Sequence, residues 1–428
     1  MAGRYPNFSD LAAGRPIAIL GLGLTGCAVA KFFQGHGIAF TAYDQNPMAG
    51  GGDIALESTF APDGSEVVVH SPGLLHSPWL NRARELGCLC LGELDLAQLF
   101  LSNPTIAVTG TAGKTSTVTM LSAVLGHAGQ RHSLTGNLGR ALTSAIGELG
   151  ADPGRWNLCE VSSFQANGLQ YFSPDHVLWT NFGENHGDVH PTPEDYFLSK
   201  WRLLELCRGA AFVGEGIPDQ ARRFGRVLPH PVRVCPRWEG ARHCDALALA
   251  HQRENFSLVR ALALAIGLDG PAIGAALEEF CPPPYRLFRP TVVGNLELWN
   301  DSKATSSLAV RRALEHVARP GSQLLWISCG SPKGESWENF LPIVRAVDRV
   351  LCFGGVGERI AELAGPQKAT LLADGEELFP LLRSLARGPG SCGPAVALFS
   401  PGFASFDSFA GYAERGRWFD GGVARLLE

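Results

Sequence analysis

The chain has 428 residues, 45% of them hydrophobic and 18% charged, with a formal net charge of −5 at pH 7. That is enough apolar material for about three domains, and the slight acidity gives no electrostatic case for a nucleic-acid partner or a membrane surface. The opening residues lack the apolar core and cleavage pattern of a signal peptide, and no run of about eighteen apolar residues marks a membrane span. The 11 cysteines, scattered and never spaced Cys-x-x-Cys, read as reduced thiols of a cytoplasmic protein.

The first stretch opens with a strand expected over Pro16–Leu20, the turn Gly21-Leu-Gly23-Leu-Thr-Gly26, a helix to about Gly35, and a second strand, Ala39–Tyr43, ending at Asp44. A Gly-x-Gly-x-x-Gly turn after a strand, with an acidic residue closing the next strand, is the dinucleotide fingerprint. Taken alone it favours a nicotinamide or flavin cofactor, the alternative being only a tight strand-to-helix turn. Another apolar strand, Val67–His70, runs into Ser71-Pro72-Gly73, where a doubly wound sheet presents a ligand-facing loop. Asn103-Pro104 marks the first boundary.

The second stretch holds the most informative segment, Ala107-Val-Thr-Gly110-Thr-Ala-Gly113-Lys114-Thr115-Ser116. An apolar strand enters a glycine-rich loop, and a helix-compatible run, Thr117–Gly126, follows. Glycines let backbone N–H groups close around phosphates, Lys114 reaches the β/γ oxygens and the Thr115 hydroxyl is available to Mg²⁺. Ala107 stands where the general fingerprint has its first glycine, so the loop is a variant of the ATP-binding class. Further on come a strand, Trp156–Cys159, leading to Glu160, the pair Thr180-Asn181, a polar segment, Gly183–Pro193, and a helix, Pro193–Cys207, carrying Lys200. Glu160 and His186, delivered to the side where Lys114 sits, would make a metal and phosphate pocket; singly, each is as readily a solvated carboxylate and a satisfied loop histidine. The helical run Phe256–Gly267 reads as core packing. Cys281-Pro-Pro-Pro284 reads as a linker, since three prolines stiffen the chain and stop a helix.

Beyond the linker, strands expected at Leu296–Asn300, Leu324–Ser328, Val350–Phe353 and Val396–Ser400 alternate with helical segments. Three polar loops follow strand ends: Asn300-Asp301-Ser302-Lys303-Ala304-Thr305, Cys329-Gly330-Ser331-Pro332-Lys333-Gly334 and Ser400-Pro401-Gly402-Phe403-Ala404-Ser405. Open parallel sheets bind ligands at such loops.

Taken in order, Gly21-Leu-Gly-Leu-Thr-Gly26, Ser71-Pro-Gly73, Thr109-Gly-Thr-x-Gly-Lys-Thr115, Gly136-Asn137-x-Gly139, Glu160-Val-Ser-Ser-Phe-Gln165, Asn185-His186-x-Asp188, Lys200, Tyr285-Arg286, Asn300-Asp-Ser-Lys-Ala-Thr305 and Ser400-Pro-x-x-Ala-Ser405-x-Asp407 resemble the Mur ligase family, over nearly the whole chain. The Glu160–Gln165 and Asn300–Thr305 blocks point to its glutamate-adding branch; the phosphate loop is shared by the superfamily. The resemblance implies an α/β protein of three domains: an N-terminal Rossmann-like domain, residues 1–103, holding a UDP-linked substrate; a central ATPase-like parallel sheet, 104–283; and a C-terminal Rossmann-like domain, 284–428, holding glutamate.

It also implies roles. Leu24, Thr25, Asp44, Ser71, Pro72 and Gly73 match UDP contacts and Asn137 a muramoyl contact, so no redox cofactor is implied. Gly110, Thr111, Ala112, Gly113, Lys114, Thr115, Ser116, Asn255, Arg286 and Asp301 match ATP contacts. Thr115, Glu160, His186 and Lys200 match the metal sites, two Mg²⁺ being implied, with Lys200 carbamylated by CO₂ and so turned from a cation into the oxygen donor that a hard cation prefers. Lys114, Glu160, His186 and Lys200 form the catalytic set. Lys303, Thr305, Lys333, Ser405 and Tyr412 match residues gripping glutamate. The implied reaction is ADP-forming amide ligation of glutamate to UDP-N-acetylmuramoyl-alanine by a monomeric, cytoplasmic enzyme of peptidoglycan synthesis, with no nucleic-acid or membrane partner. The chain departs from the family pattern at Asn46, Ala112, Asn185, Gln252 and Tyr285. Alternatives are addition of L- rather than D-glutamate, a nucleotide-binding paralogue without turnover, and a folylpolyglutamate synthase. The Ser71-Pro-Gly73 and Glu160–Gln165 blocks argue against the last.

Overall fold

The computed structural model describes residues 8–46, 54–150, 152–183, 187, 189–229, 231–240, 247, 249–278, 280, 282–287, 290–387 and 395–428. Three open sheets carry the described chain. The first holds β1 (Ile17–Leu20), β2 (Thr41–Asp44), β3 (Ile54–Leu56), β4 (Val67–His70) and β5 (Leu89–Gly92) in the order β3-β2-β1-β4-β5. The second holds β6 (Thr105–Thr109), β7 (His132–Gly136), β8 (Trp156–Glu160), β9 (His176–Trp179), β10 (Ala211–Gly214) and β11 (Val232–Cys235) in the order β11-β10-β9-β6-β8-β7. The third holds β12 (Thr291–Val293), β13 (Leu296–Asn300), β14 (Gln323–Ser328), β15 (Arg349–Cys352), β16 (Ala369–Leu371) and β17 (Ala395–Phe399) in the order β12-β13-β17-β14-β15-β16. Every ladder is parallel except β12 on β13, a short hairpin at the edge.

Parallel strands joined through helices are covered on both faces, so they read as near-continuous apolar runs. In the third sheet Trp326, Val350, Cys352, Val396 and Leu398 enter one core, while their chain neighbours Leu325, Ile327, Leu351, Ala397 and Phe399 enter the other. The first sheet divides in the same way, Ile19, Val67 and Val69 against Ala18, Leu20 and Val68. Each fully buried Val or Leu is worth about 1.5–3 kcal/mol, which makes the register hard to slip.

The chain forms two compact units. One comprises Met1–Phe182, Glu194–Glu239 and Glu254–Glu279, with the first two sheets; the other comprises Gly183–Pro193, Gly240–Arg253 and Phe280–Glu428, with the third. Within the first unit, buried carboxylates tie sheet to sheet. Asp95 accepts the backbone N–H groups of Gln170, Tyr171 and Phe172, and Glu93 accepts both the N–H and the hydroxyl of Thr143. Burial pushes the pKa of both carboxyls up. The described cysteines are free, and no described helix is long and apolar enough to cross a membrane.

The expected strands and helices are present, with shifted ends. The helix after the phosphate loop starts at Lys114 rather than Thr117, because Gly113 adopts φ 84° and turns the chain directly into it. The helix expected from Phe256 begins at Ala250. The stretch after residue 208, locally uninformative in sequence, carries β10, the helix Ile217–Arg223 and β11.

Candidate functional site

Strand order reverses between β1 and β4 in the first sheet and around β6 in the second, and the crevices at such reversals are where open α/β sheets bind ligands. The phosphate loop leaves β6 at one of them. Gly110 has φ 145°, and a Cβ there would stand 1.9 Å from the Thr180 hydroxyl oxygen. Only glycine permits that approach. The close neighbour then holds the loop: the Thr180 hydroxyl donates to the Ala112 carbonyl at 2.6 Å. The Asn181 side chain accepts the Ala112 N–H and donates to the Ala112 carbonyl, both at 3.0 Å, and its own carbonyl accepts the Thr111 N–H at 3.1 Å. Tyr196 donates its hydroxyl to that of Thr111 at 3.3 Å. Ala112 is therefore shaped entirely through its backbone, and the polar side chain it lacks is not needed to form the loop.

Lys114 folds its ammonium onto the loop, donating to the carbonyls of Gly110 at 2.7 Å and Thr111 at 3.2 Å. Thr115 and Ser116 are buried in the first helical turn. Asn255 lies against the loop, since a Cβ on Gly113 would come within 2.6 Å of its side-chain oxygen.

Glu160 ends β8 at 2% exposure. One carboxylate oxygen accepts from the Asn137 side chain at 2.8 Å; the other is buried with no hydrogen-bond partner among the described residues. The Glu160 carbonyl accepts the Asn137 N–H at 2.8 Å, and Gly136 at φ 85° leaves the room, its Cβ position being 2.3 Å from that carbonyl. A buried carboxylate with an unclaimed oxygen is costly unless something positive meets it. The donor set therefore fits a hard divalent cation.

Lys200, on the helix Pro193–Leu206, is 1% exposed. Its ammonium lies 4.3 Å from the centre of the Tyr196 ring, and among the described residues no carboxylate pairs with it. Burial, reinforced by the like charge of Lys114, holds its pKa well below the usual lysine range. His186, Asn185 and Asp188 lie outside the described residues. Among those described, no three His, Cys, Asp or Glu side chains converge as a metal cage.

The first crevice is built around Gly21 (φ 84°). Ser71 donates its hydroxyl to the Gly21 carbonyl at 2.7 Å, and Asp44 accepts the Leu22 N–H at 2.5 Å and the Asn46 N–H at 2.8 Å. A Cβ on Gly26 would collide with the Gly21 carbonyl at 1.8 Å, so the turn needs both glycines. Leu24, at the start of the helix, is a large apolar side chain that is 96% exposed. Pro72 and Gly73 open a short 3-10 turn directly after Ser71.

The second unit gathers Arg286, Asp301, Lys303, Thr305, Lys333, Ser405 and Tyr412 at the ends of β13, β14 and β17 and the helix Tyr412–Leu427. Tyr285 (φ 62°) and Leu287 (φ 59°) flank Arg286 in the left-handed region, which side chains other than glycine rarely adopt. The Arg286 Nε and Nη2 are buried with no hydrogen-bond partner among the described residues. Desolvation pushes Asp301 up to about 7, although the Ser400 hydroxyl at 2.9 Å and the charges of Arg286 and Arg415 pull it down. Lys303 places its ammonium 4.0 Å from the centre of the Tyr412 ring.

Arg415 is one residue that the sequence does not announce. It is fully buried and donates to the Ser302 hydroxyl and carbonyl and to the carbonyls of Phe403 and Ala404. A second tie, Ser331 to Ala404 at 2.9 and 3.1 Å, joins the loop after β14 to the loop after β17. Thr180, Asn181 and Tyr196, which shape the phosphate loop, were also unassigned; the strand end at Thr180-Asn181 was the available signal.

A family model described as the Mur ligase middle domain matches residues 108–222. A UDP-N-acetylmuramoylalanine–D-glutamate ligase of Geobacter metallireducens is 30% identical over 97% of this chain and 98% of its own. The chain belongs to the Mur ligase family. An enzyme of the same description from Thermus thermophilus is likewise 30% identical to this Mur ligase, over 95% of this chain and 97% of its own. Among solved structures, the MurF ligase of Thermotoga maritima in complex with ADP superposes on it with a TM-score of 0.60, at 15% identity, covering 96% of this chain and 94% of the other. MurF of Acinetobacter baumannii gives 0.59 at 18% identity, with 96% and 90% covered. At such identities these two speak for the fold of the Mur ligase alone.

Proposed function

We propose that the chain is an ATP-dependent, ADP-forming ligase that joins D-glutamate to UDP-N-acetylmuramoyl-alanine. The observation that carries the chemistry is the phosphate loop with Lys114 at the end of β6 and, at the end of the neighbouring strand β8, a buried carboxylate, Glu160, with one oxygen unclaimed. The choice of glutamate draws on the full-length relatives, which are D-glutamate ligases, and the D-enantiomer draws on them alone. The residues divide as the resemblance implies, over domains bounded near 104 and 284: UDP at Leu24, Thr25, Asp44 and Ser71–Gly73, ATP at Gly110–Ser116 with Asn255, Arg286 and Asp301, and glutamate at Lys303, Thr305, Lys333, Ser405 and Tyr412. A nucleotide-linked precursor as substrate and free thiols agree with a cytoplasmic setting.

The γ-phosphoryl group passes to a carboxylate oxygen of the alanyl end and ADP leaves. The glutamate amine then attacks the acyl carbon, expelling phosphate and losing a proton. Lys114, freed from the Gly110 and Thr111 carbonyls, stabilises charge on the transferring oxygens. Thr115 and the free oxygen of Glu160 would hold Mg²⁺, which neutralises phosphate charge when bound; carbamylated Lys200 and His186 complete the donor set in this reading. Lys200 suits that modification, because only the neutral amine adds to CO₂ and its surroundings favour the neutral form. The product carbamate carries the opposite charge beside Lys114.

Purified protein with ATP, Mg²⁺, UDP-N-acetylmuramoyl-alanine and each glutamate enantiomer tests the reading through ADP release. Turnover with D-glutamate alone is expected. No ADP release with either enantiomer would leave a nucleotide-binding protein without turnover, and release with L-glutamate would move the chain to the other stereochemistry.

A further inference from the structure

Outside the crevices just described, the first unit contains a cavity of about 420 Å³ lined by His70, His76, Arg84, Cys88, Cys90 and Gln170, among others. Its size is that of a small-molecule site. No carboxylate lines it: Glu66 nearby is taken up by Cys88 and the Asp63 and Gly64 N–H groups, and Asp95 by the backbone of Gln170–Phe172. His70, 7% exposed, gives its Nδ1 to the Ser71 carbonyl at 3.3 Å, so in the neutral ring Nε2 is an acceptor, and it has no hydrogen-bond partner among the described residues. Burial and the Arg84 charge hold the ring neutral, its pKa lowered to about 4. Arg84, an exposed residue of the lining, spends Nη1 on the Leu75 carbonyl at 3.1 Å and pairs with no described carboxylate. A ring with one acceptor unclaimed and an arginine that pairs with no described carboxylate thus line one cavity.

We propose that this cavity binds a small organic anion that carries a carboxylate or phosphate for Arg84 and a hydroxyl donor for His70 Nε2. Both side chains are also tethered to the segment Ser71–Leu75, so the bound anion changes affinity at the UDP crevice; this second part rests on the reading of Ser71–Gly73 as UDP contacts.

The test uses the full chain with saturating ADP and Mg²⁺, which fill the phosphate loop, and isothermal titration with glycerol 3-phosphate and with lactate. Their hydroxyl-free counterparts, ethyl phosphate and propionate, serve as comparisons. One hydroxy-anion binds in a single site, roughly tenfold tighter than its counterpart, and which one binds separates the phosphate from the carboxylate. Arg84→Gln abolishes the binding, His70→Phe erases the preference for the hydroxyl, and Arg82→Gln, on the same helix but paired with Glu85 in solvent, changes neither. Equal binding of hydroxy and hydroxyl-free probes, no binding of either, or an unchanged titration in Arg84→Gln overturns the site. Should a variant fail to fold, crystals of the unaltered protein soaked in the probe decide: density between Arg84 and His70 upholds the site, and density only elsewhere overturns it. The dissociation constant of UDP-N-acetylmuramoyl-alanine, measured with and without probe, tests the coupling. No change there removes the coupling and leaves the site, whereas no binding of the UDP substrate at all is a failure of the functional reading.

Discussion

At the scale of single residues, the loop around Lys114 separates shape from chemistry. Thr180 and Asn181 give the loop its shape, so Lys114→Ala should leave the fold intact by circular dichroism. ADP formation should fall by at least about two orders of magnitude, the usual cost of losing a transition-state charge contact; unchanged turnover would remove the ATP assignment. Thr180→Val is expected to do the reverse. It deletes the bond to the Ala112 carbonyl, worth about 1 kcal/mol, and should raise KM for ATP several-fold with a smaller change in kcat, and an unaltered KM would count against the clamp. Lys200→Arg cannot form a carbamate and should abolish ligation. Enzyme stripped of bicarbonate should slow and recover when it is restored, and full activity in the arginine variant would dismiss the carbamate.

At the scale of elements, the turns that touch ligands in this reading were legible because their chemistry is local. Gly21, Gly26, Gly110 and Gly113 announce close backbone approaches that no other residue tolerates, and the buried strands β4, β6 and β17 announce themselves as apolar runs. The edge strands β3, β11, β12 and β16 were not legible: they are three or four residues long, and tertiary pairing rather than propensity makes them strands. Arg415 was hidden for the same reason. Nothing near it in sequence reveals that its partners lie more than a hundred residues upstream at Ser302 and also on the loop after β17. Arg415→Leu orphans buried acceptors on two loops at once and should destabilise by about 3–5 kcal/mol. Read by urea denaturation, a loss under 1 kcal/mol would show that the clamp is dispensable; Arg415→Lys, which retains charge without the fork, should recover only part of the loss and should show a raised KM for glutamate.

At the scale of the whole molecule, pH acts through buried rings and carboxyls. The pKa of His70 falls from 6.5 unfolded to about 4 folded, so the folded state resists protonation. The stability this lends is complete above pH 6.5 and is lost as pH falls towards 4, a difference of about 3 kcal/mol. Glu93 and Asp95, raised by burial, run the other way and favour the fold at lower pH. Comparing urea midpoints at pH 7 and 5 in the wild type and in His70→Gln isolates the histidine, and the variant should lose less on acidification; equal losses would exclude it.

The two units are interleaved along the chain, and that ordering bears on how the protein is made. Gly183–Pro193 and Gly240–Arg253 belong with the third sheet, yet both leave the ribosome before any of its strands, and Glu254–Glu279, the last piece of the first unit, leaves after them. Neither unit can be finished in one pass of synthesis. The early pieces must wait in water, and Gly183–Pro193, with Glu184, Asn185, His186, Asp188 and His190 and few apolar residues, is suited to waiting without aggregating. Leu249, which enters the third sheet's core, waits for a partner not yet translated. Chains cut after residue 280 should therefore bind ADP through a nearly complete first unit while leaving Leu249 open to protease, and protection of Leu249 in a chain that lacks β13 would refute the sequence of events.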